Sequence, residues 1–531
     1  MKNSKLVLGL FVVSVLASIT YFFTPTFAVD NPSLWLLIGI AGIPTIGVSL
    51  MIIDSHGTGR KHPAYLWAKI GIGMLASAFM VIFGSSTLFN APAYNALLSN
   101  GSVATADTIE LPALDFENPG LVSSQMAIAA AAKVLAEYSD QALGSRVEIG
   151  TPVRQIVNGK LVYVMLLEHK SFIKSLFNSD SPGYVVVSAS DSNDVSLITQ
   201  VDGKPLVLKY LESAAWGHNV ARHVYLNGYA TKFVDDFTVE LDDNHRPFIV
   251  ASLLTKEVGV FGDKAYGVVV VDVQTGNITE YSIDKAPKWV DRIQPADVVS
   301  AQVTSWAALK KGFFNRMFTG DGVLQSSSLD LVYKDGAAFW YFGLTSAGAD
   351  DSLAGYVLVN SRTGLASYTR MPGVVESSAA AIMAKVNPEK GYLAAHVLPF
   401  NLDGKPVYVS VMTDTSGVSR GYGAVSVENF QYVAVAETLQ QALAGVAAKS
   451  VRAPTMQELQ KVASKSFVIE RIGSLVISSD SIFYLKFVGE EGLFSAPARL
   501  TPILAILQKG DTVKAGLGSK ENGITPIVKI E

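Results

Sequence analysis

The densest set of residues able to do chemistry is Trp216, His218, Arg222 and His223, followed by Asp235, Asp236, Asp242, Asp243 and His245. Imidazoles beside carboxylates are the raw material of general acid–base catalysis and of metal ligation. On a continuous helix His218 and Arg222 stand at i and i+4 and share a face, while His223 is turned about 100° from Arg222. The spacing of zinc proteases, two histidines at i and i+4 with an adjacent glutamate, is absent. Asp242, Asp243, Asn244 and His245 fall where a hairpin should turn, because short polar side chains bond their own backbone there. This pattern favours a helix face plus an exposed turn. His218, His223, Asp235 and Asp236 form the candidate catalytic set, and Trp216 and Arg222 are candidate binding residues.

Two further groups carry weaker signals. In KWVDRIQP (288–295) Trp289, Asp291 and Arg292 could form a ligand-facing patch. The plainer reading has Trp289 plugging a junction and Asp291 paired with Arg292 or a helix N-terminus. Asp350 and Asp351 resemble paired carboxylates, but an acid–base pair needs unequal environments, and neighbours in a glycine-rich loop face water. Neither a GxSxG elbow nor a phosphate-cradling glycine loop ending in Lys-Ser/Thr is present. No metal site or cofactor is expected. Cysteine is absent, which excludes disulfides, thiolate metal sites and a cysteine nucleophile. Net charge is −4, with an isoelectric point near 6.0, so no basic field argues for nucleic acid.

The elements that must position these residues begin with lipid. Hydrophobic content is 49% and mean hydropathy +0.31, and the first 90 residues are a large part of the reason. Lys5 and Asp30 are separated by 24 uncharged residues, and Asp30 and Asp54 by 23; after Lys69 no charge appears until Asp107. About 20 apolar residues cross ~30 Å of hydrocarbon as a helix, which pairs its own backbone groups. Three transmembrane helices are therefore expected in residues 1–92. The first run is read as retained, with a cleaved signal peptide as the alternative. Lys2, Lys5, Arg60, Lys61 and Lys69 place the N-terminus in the cytoplasm and the large C-terminal region outside. Gly39, Gly42, Gly47, Gly71 and Gly73 suit close helix packing. No span carries a central ionisable residue, so a channel or proton relay is the least favoured role.

After a polar linker (93–120), one order of elements recurs four times, over 121–207, 208–294, 295–373 and 374–450. Each copy has a helical stretch, a hairpin around a turn signal, and a strand marked by adjacent glycine and tyrosine. The hairpins read VRQIVNGKLVYVMLLEH, FTVELDDNHRPFIVASLL, LDLVYKDGAAFWYFGLTS and HVLPFNLDGKPVYVSVM. The marker tyrosines Tyr184, Tyr266, Tyr356 and Tyr422 lie 82, 90 and 66 residues apart. Alternation buries one face of each hairpin, and a helix laid on it completes a two-layer α+β unit. The helices are expected in SSQMAIAAAAKVLAEYSDQAL, KYLESAAWGHNVARHVYL, PADVVSAQVTSWAALKKGF and ESSAAAIMAKV.

This order, with final strands such as VVVVDVQTGNITEY and YVLVNSRTGLASY, resembles PepSY-like and cystatin-like modules over about residues 120–445. The resemblance implies binding, inhibition or assembly modules outside the cytoplasm, with no catalytic residues to transfer. Residues 451–531 read as a helix, TMQELQKVASK, and short strands in SFVIERIGSLVISS, IFYLKFVG, LTPILAIL, LQKGDTVKAGL and ITPIVKIE. They are expected to close a small β-barrel of SH3 or OB type that binds a surface or caps a sheet edge.

The fold expected is a membrane-anchored α+β protein. The expected role is a scaffold at the cell envelope, holding a protein partner or a second copy beside the bilayer. The alternative is an extracytoplasmic envelope hydrolase using the His218, His223 and Asp235 region.

Overall fold

A computed structural model describes residues 14, 18, 20–56, 63–137, 143–346, 348, 352–450, 464–477, 480–518 and 524–530. The chain divides into two compact parts, Met1–Val375 and Glu376–Glu531.

The first part opens with two helices long and apolar enough to cross a membrane, α1 (Pro32–His56) and α2 (Pro63–Gly84). Asn31 starts α1: its side chain accepts from the Ser33 amide, and Pro32 takes the first helical position, where no N–H is needed. The two helices pack against each other, and glycine sets the distance. A Cβ on Gly42 would lie 2.7 Å from the Gly71 carbonyl oxygen, and one on Gly71 would lie 2.9 Å from that of Gly42. Gly39 meets the Ala78 methyl, whereas Gly47 and Gly73 face open space, so only part of the glycine pattern is about packing. The first apolar run lies mostly outside the described residues.

At Gly84 the third apolar run stops being one helix. A separate short helix, α3 (Thr87–Ala96), follows, with Asn90 out of helical geometry. Ser85 latches this corner: its hydroxyl accepts from the Val260 amide at 3.2 Å, and its carbonyl accepts from the Tyr94 hydroxyl at 2.8 Å. The expected linker is not free. Ala104–Ala106 pairs in parallel with the strand at 366–374, the Asn95 amide donates to the Trp306 carbonyl, and Leu98 is fully buried.

Three sheets follow, each with four main strands in sequential antiparallel order. The first comprises β1 (Val153–Val157), β2 (Lys160–His169), β3 (Tyr184–Ser188) and β4 (Val195–Ile198). The second comprises β5 (Phe233–Leu241), β6 (Pro247–Val258), β7 (Phe261–Asp272) and β8 (Ile278–Ser282). The third comprises β9 (Asp330–Lys334), β10 (Ala337–Ser346), β11 (Ser352–Asn360) and β12 (Ala366–Val374). Asn158-Gly159 and Asp335-Gly336 turn their hairpins with both residues at positive φ, as tight two-residue loops demand. Helix α4 (Ser124–Glu137) covers one face of the first sheet through Ala127, Ala131 and Leu135. Helix α5 (Ala296–Leu309) does the same for the third through Val299, Val303 and Ala307.

The second sheet departs from expectation. Its segment 209–226 is not one helix: Trp216–His218 is a 3-10 turn, Asn219 caps a new start, and Val220–Val224 is a single helical stretch. Gly217 and Asn219 explain the break, since glycine weakens a helix and asparagine favours its cap. The sheet is instead buried on both faces. Ile249, Leu253, Val269 and Val271 share a core with the first sheet, while Val250, Leu254, Val268 and Val270 meet Ala286, Val290 and Ile293. Burial on both faces is why Val268–Val271 reads as an unbroken apolar run.

The second part holds one sheet and one barrel. The sheet comprises β13 (Leu398–Leu402), β14 (Lys405–Thr413), β15 (Ser419–Ser426) and β16 (Val433–Ala436). It packs against α6 (Glu376–Ala384) and α7 (Leu439–Ser450). The barrel is closed, with strands β17 (Lys465–Ile477), β18 (Asp480–Phe487), β19 (Leu493–Pro497), β20 (Thr512–Leu517) and β21 (Ile524–Ile530) in the order 17-18-19-21-20. Parallel pairing of β19 with β21 follows the OB rather than the SH3 arrangement. Stacked Phe467 and Phe487, 4.7 Å apart, fill its centre. LTPILAIL is not a strand: Pro502 opens a 3-10 turn capped by the Thr501 side chain. The strand beginning at Leu493 was not anticipated. The expected helix TMQELQKVASK falls almost wholly outside the described residues.

Candidate functional site

Two cavities flank the end of β2, and consecutive residues of that strand serve one each. Glu168 and His169 point to opposite sides because side chains alternate along a strand. Ser213 joins the two: its hydroxyl donates to the Glu168 carboxylate, its amide donates to the same oxygen at 3.1 Å, and the hydroxyl accepts from the His169 amide at 2.8 Å.

The first cavity, of about 570 Å³, is an acidic cleft between the first and second sheets. Its polar wall comprises Glu148, Glu168, Glu212, Ser213, Asp236 and Arg292. Burial pushes the Glu168 carboxyl up, opposed by the two Ser213 hydrogen bonds and aided by Glu148. Burial also raises Glu212, with Glu168 and Asp236 adding repulsion. Asp236 is raised by burial against the pull of Arg292. A β-bulge places it there: the register of β5 on β6 shifts between Val250 and Ser252, and Asp236 takes φ +55. Burial and mutual repulsion thus both disfavour the charged carboxylates in the cleft.

The second cavity, of about 390 Å³, is lined by His169, Ser175, Ser179, Tyr210, Trp216 and His218 among others. His169 is only 3% exposed, and neither ring nitrogen has a hydrogen-bond partner among the described residues. Burial holds its pKa below the usual histidine value, offset by Asp180. A neutral imidazole presents one donor and one acceptor to the cavity. Trp216 sits at φ +53, a left-handed conformation rare for an aromatic residue and common where structure over-determines a site. Its carbonyl accepts from Arg222 Nη1 at 2.6 Å. The lining therefore sets the aromatic faces of Tyr210 and Trp216 beside the His169 imidazole.

The candidates singled out by sequence are thus divided. Trp216 and His218 line one cavity, and Asp236 and Arg292 line the other. His218 and His223 both pack on Tyr210, at 5.2 and 4.3 Å, but His223 Nε2 bonds the Gly276 carbonyl at 2.7 Å. Asp235 Oδ1 accepts from the Asp236 amide. Among the described residues, no hydrogen bond links these histidines to these aspartates. Arg222 does not share a helix face with His218, because the helix restarts at Asn219. Its guanidinium donates to the Tyr21 carbonyl and lies over the Tyr21 ring at 4.8 Å. Asp242 turns its hairpin as expected, accepting from Asn244 and Arg246. Asp350 and Asp351 lie outside the described residues.

KWVDRIQP proves to be a buried junction of all three sheets. Trp289 stacks on Phe248 at 5.2 Å. Asp291 does not pair with Arg292; its carboxylate accepts from the Ile156 amide at 2.8 Å. Beside it, fully buried Glu240 accepts from the Asp291 and Arg292 amides. Burial first and repulsion from Asp291 second push Glu240 up to about 8. Burial raises Asp291, against the Ile156 hydrogen bond and nearby Arg362 and Arg292. Arg362 donates to the Pro287 and Ala286 carbonyls and wraps the segment. Glu168, His169, Glu212, Ser213 and Glu240 were missed by sequence. For Glu168 and His169 a usable signal existed: two polar residues closing the apolar run VYVMLL.

No protein-family model matches the chain, and no curated protein does. Among solved structures, an α-L-arabinofuranosidase from Lactobacillus brevis aligns at 9% identity over 72% of this chain and 94% of its own, with a TM-score of 0.17. At that score the likeness carries no inference about fold or activity.

Proposed function

We propose that this chain is a multi-pass membrane protein whose large body stands outside the cytoplasm and organises a partner at the bilayer surface. The observation that carries this reading is the outer face of the α1–α2 hairpin. Leu37, Ile40, Ile43, Met51, Phe79 and Met80 are all more than half exposed there. In water such a surface is unstable at roughly 25 cal/mol per Å²; in lipid it is solvated. The first apolar run supplies a third span in this reading, and the basic residues around the hairpin set the N-terminus inside.

The shared strand order of the four sheets supports reading them as related, PepSY-like modules, and such modules bind rather than catalyse. The division of His218 and Asp236 between two cavities favours binding over the envelope hydrolase. The partner is a protein or a second copy of this chain.

The test is extraction. The full chain is expected to stay with membranes through an alkaline carbonate wash, and a mild-detergent pull-down is expected to recover a partner or an oligomer. Release by carbonate would refute the anchor; a lone monomer in detergent would refute the scaffold.

A further inference from the structure

Two exposed projections of the Met1–Val375 part carry aromatic and basic residues together. The first is the short helix Phe172–Phe177, where Phe172 is 53%, Ile173 65% and Phe177 83% exposed, beside exposed Lys170 and Lys174. The second is the pair of helical turns 312–319, where Phe314 is 64%, Met317 63% and Phe318 78% exposed, beside exposed Lys310 and Arg316. Phe314 and Phe318 stack at 6.2 Å, which makes one apolar blade of the second projection.

Each projection is continuous with an apolar segment. Phe172 meets Trp216 at 5.9 Å and Trp216 meets Phe22 at 6.4 Å, at the end of the first apolar run. The 312–314 turn packs on α3, whose Phe89 meets Phe83 of α2 at 5.3 Å. Arg222 and Tyr225 hold the chain at Tyr21 and Pro25 by hydrogen bonds to their carbonyls, so the first projection and that segment are fixed together.

Rings left this exposed are costly in water and favoured at the boundary between headgroups and acyl chains, where flanking lysines and arginines reach phosphates. We propose that the Phe172–Phe177 helix and the 312–319 helical turns are lipid-inserting feet that seat the body on an anionic bilayer surface. The proposal rests on the reading that α1 and α2 cross the membrane. It makes the bilayer a second contact surface of the body, beyond the spans themselves.

The absence of native cysteine allows a direct test. Phe177→Cys, Phe318→Cys and Phe79→Cys, each in the full chain, are labelled with an environment-sensitive fluorophore and reconstituted in vesicles of phosphatidylcholine and phosphatidylglycerol. Lipids brominated along the acyl chain then serve as quenchers. The expected result is roughly twofold quenching at positions 177 and 318, shallower than at 79 and weaker when phosphatidylglycerol is omitted. Quenching at 79 with water-like emission at 177 and 318 would overturn the feet and leave the spans standing. A blue-shifted signal at 177 or 318 without lipid quenching would assign that surface to protein and overturn the proposal. No quenching at 79 would remove the membrane reading, and the feet with it.

Discussion

Glu240 shows what sequence reasoning sees and misses at the level of single residues. In FTVEL it is an alternating polar position, expected to face water, yet it is fully buried against the Asp291 and Arg292 amides. Asp291 was picked out, but neither Arg292 nor a helix N-terminus takes its carboxylate; the Ile156 amide, 135 positions away, does. The Glu240–Asp291 pair has a consequence for pH. Glu240 titrates above its ordinary value, so the folded state keeps a proton that the unfolded chain releases. Stability is therefore full below the unfolded value of 4.5 and declines as pH rises toward about 8. Melting temperature is expected to fall between about pH 5 and about pH 9 in the parent, and to fall less in Glu240→Gln. Equal pH slopes in calorimetry would show that the buried carboxyl is ionised throughout. His218 and Asp236 carry the same lesson in reverse: close in sequence, they serve different cavities.

At the level of elements, the marker glycines acquire a physical reason. A Cβ on Gly183, Gly267, Gly355 or Gly421 would press on the backbone carbonyl of Ile198, Tyr281, Thr369 or Ala436 respectively. In three of the four sheets a register shift falls immediately before that glycine. Close approach of the next strand, not turn geometry, fixes the residue there. Gly267→Ala is expected to cost about 1–3 kcal/mol, since the backbone cannot yield. Gly159→Ala has open space and only an unfavourable φ, so about 1 kcal/mol is expected. Chemical denaturation of the two variants gives the ranking, and a reversed order would refute the packing explanation.

Hairpins were legible because Asn-Gly and Asp-Gly pairs encode their turns locally. The second helical stretch was not, since Gly217 and Asn219 break it while its apolar residues keep a helical rhythm. LTPILAIL misled for a related reason. Its apolar run reads as a strand until Pro502 and the Thr501 cap are weighed.

Across the whole molecule, the two apolar helices were the clearest feature of the sequence, because length without charge needs no tertiary information; the closed barrel was anticipated, but with LTPILAIL in place of the strand Leu493–Pro497. KWVDRIQP was legible as a junction, but its partners Ile156, Glu240 and Ser361 were not, because they are spread over more than 200 residues. The proposed anchor makes one demand on topology: the body and the basic loop between the spans lie on opposite sides of the bilayer. The deciding measurement labels Asp243→Cys, in an exposed hairpin turn, and Lys61→Cys in intact cells with a membrane-impermeant maleimide. The account requires Asp243→Cys to react without permeabilisation and Lys61→Cys only after it. Reaction of Lys61→Cys in intact cells, with Asp243→Cys protected until lysis, would contradict it.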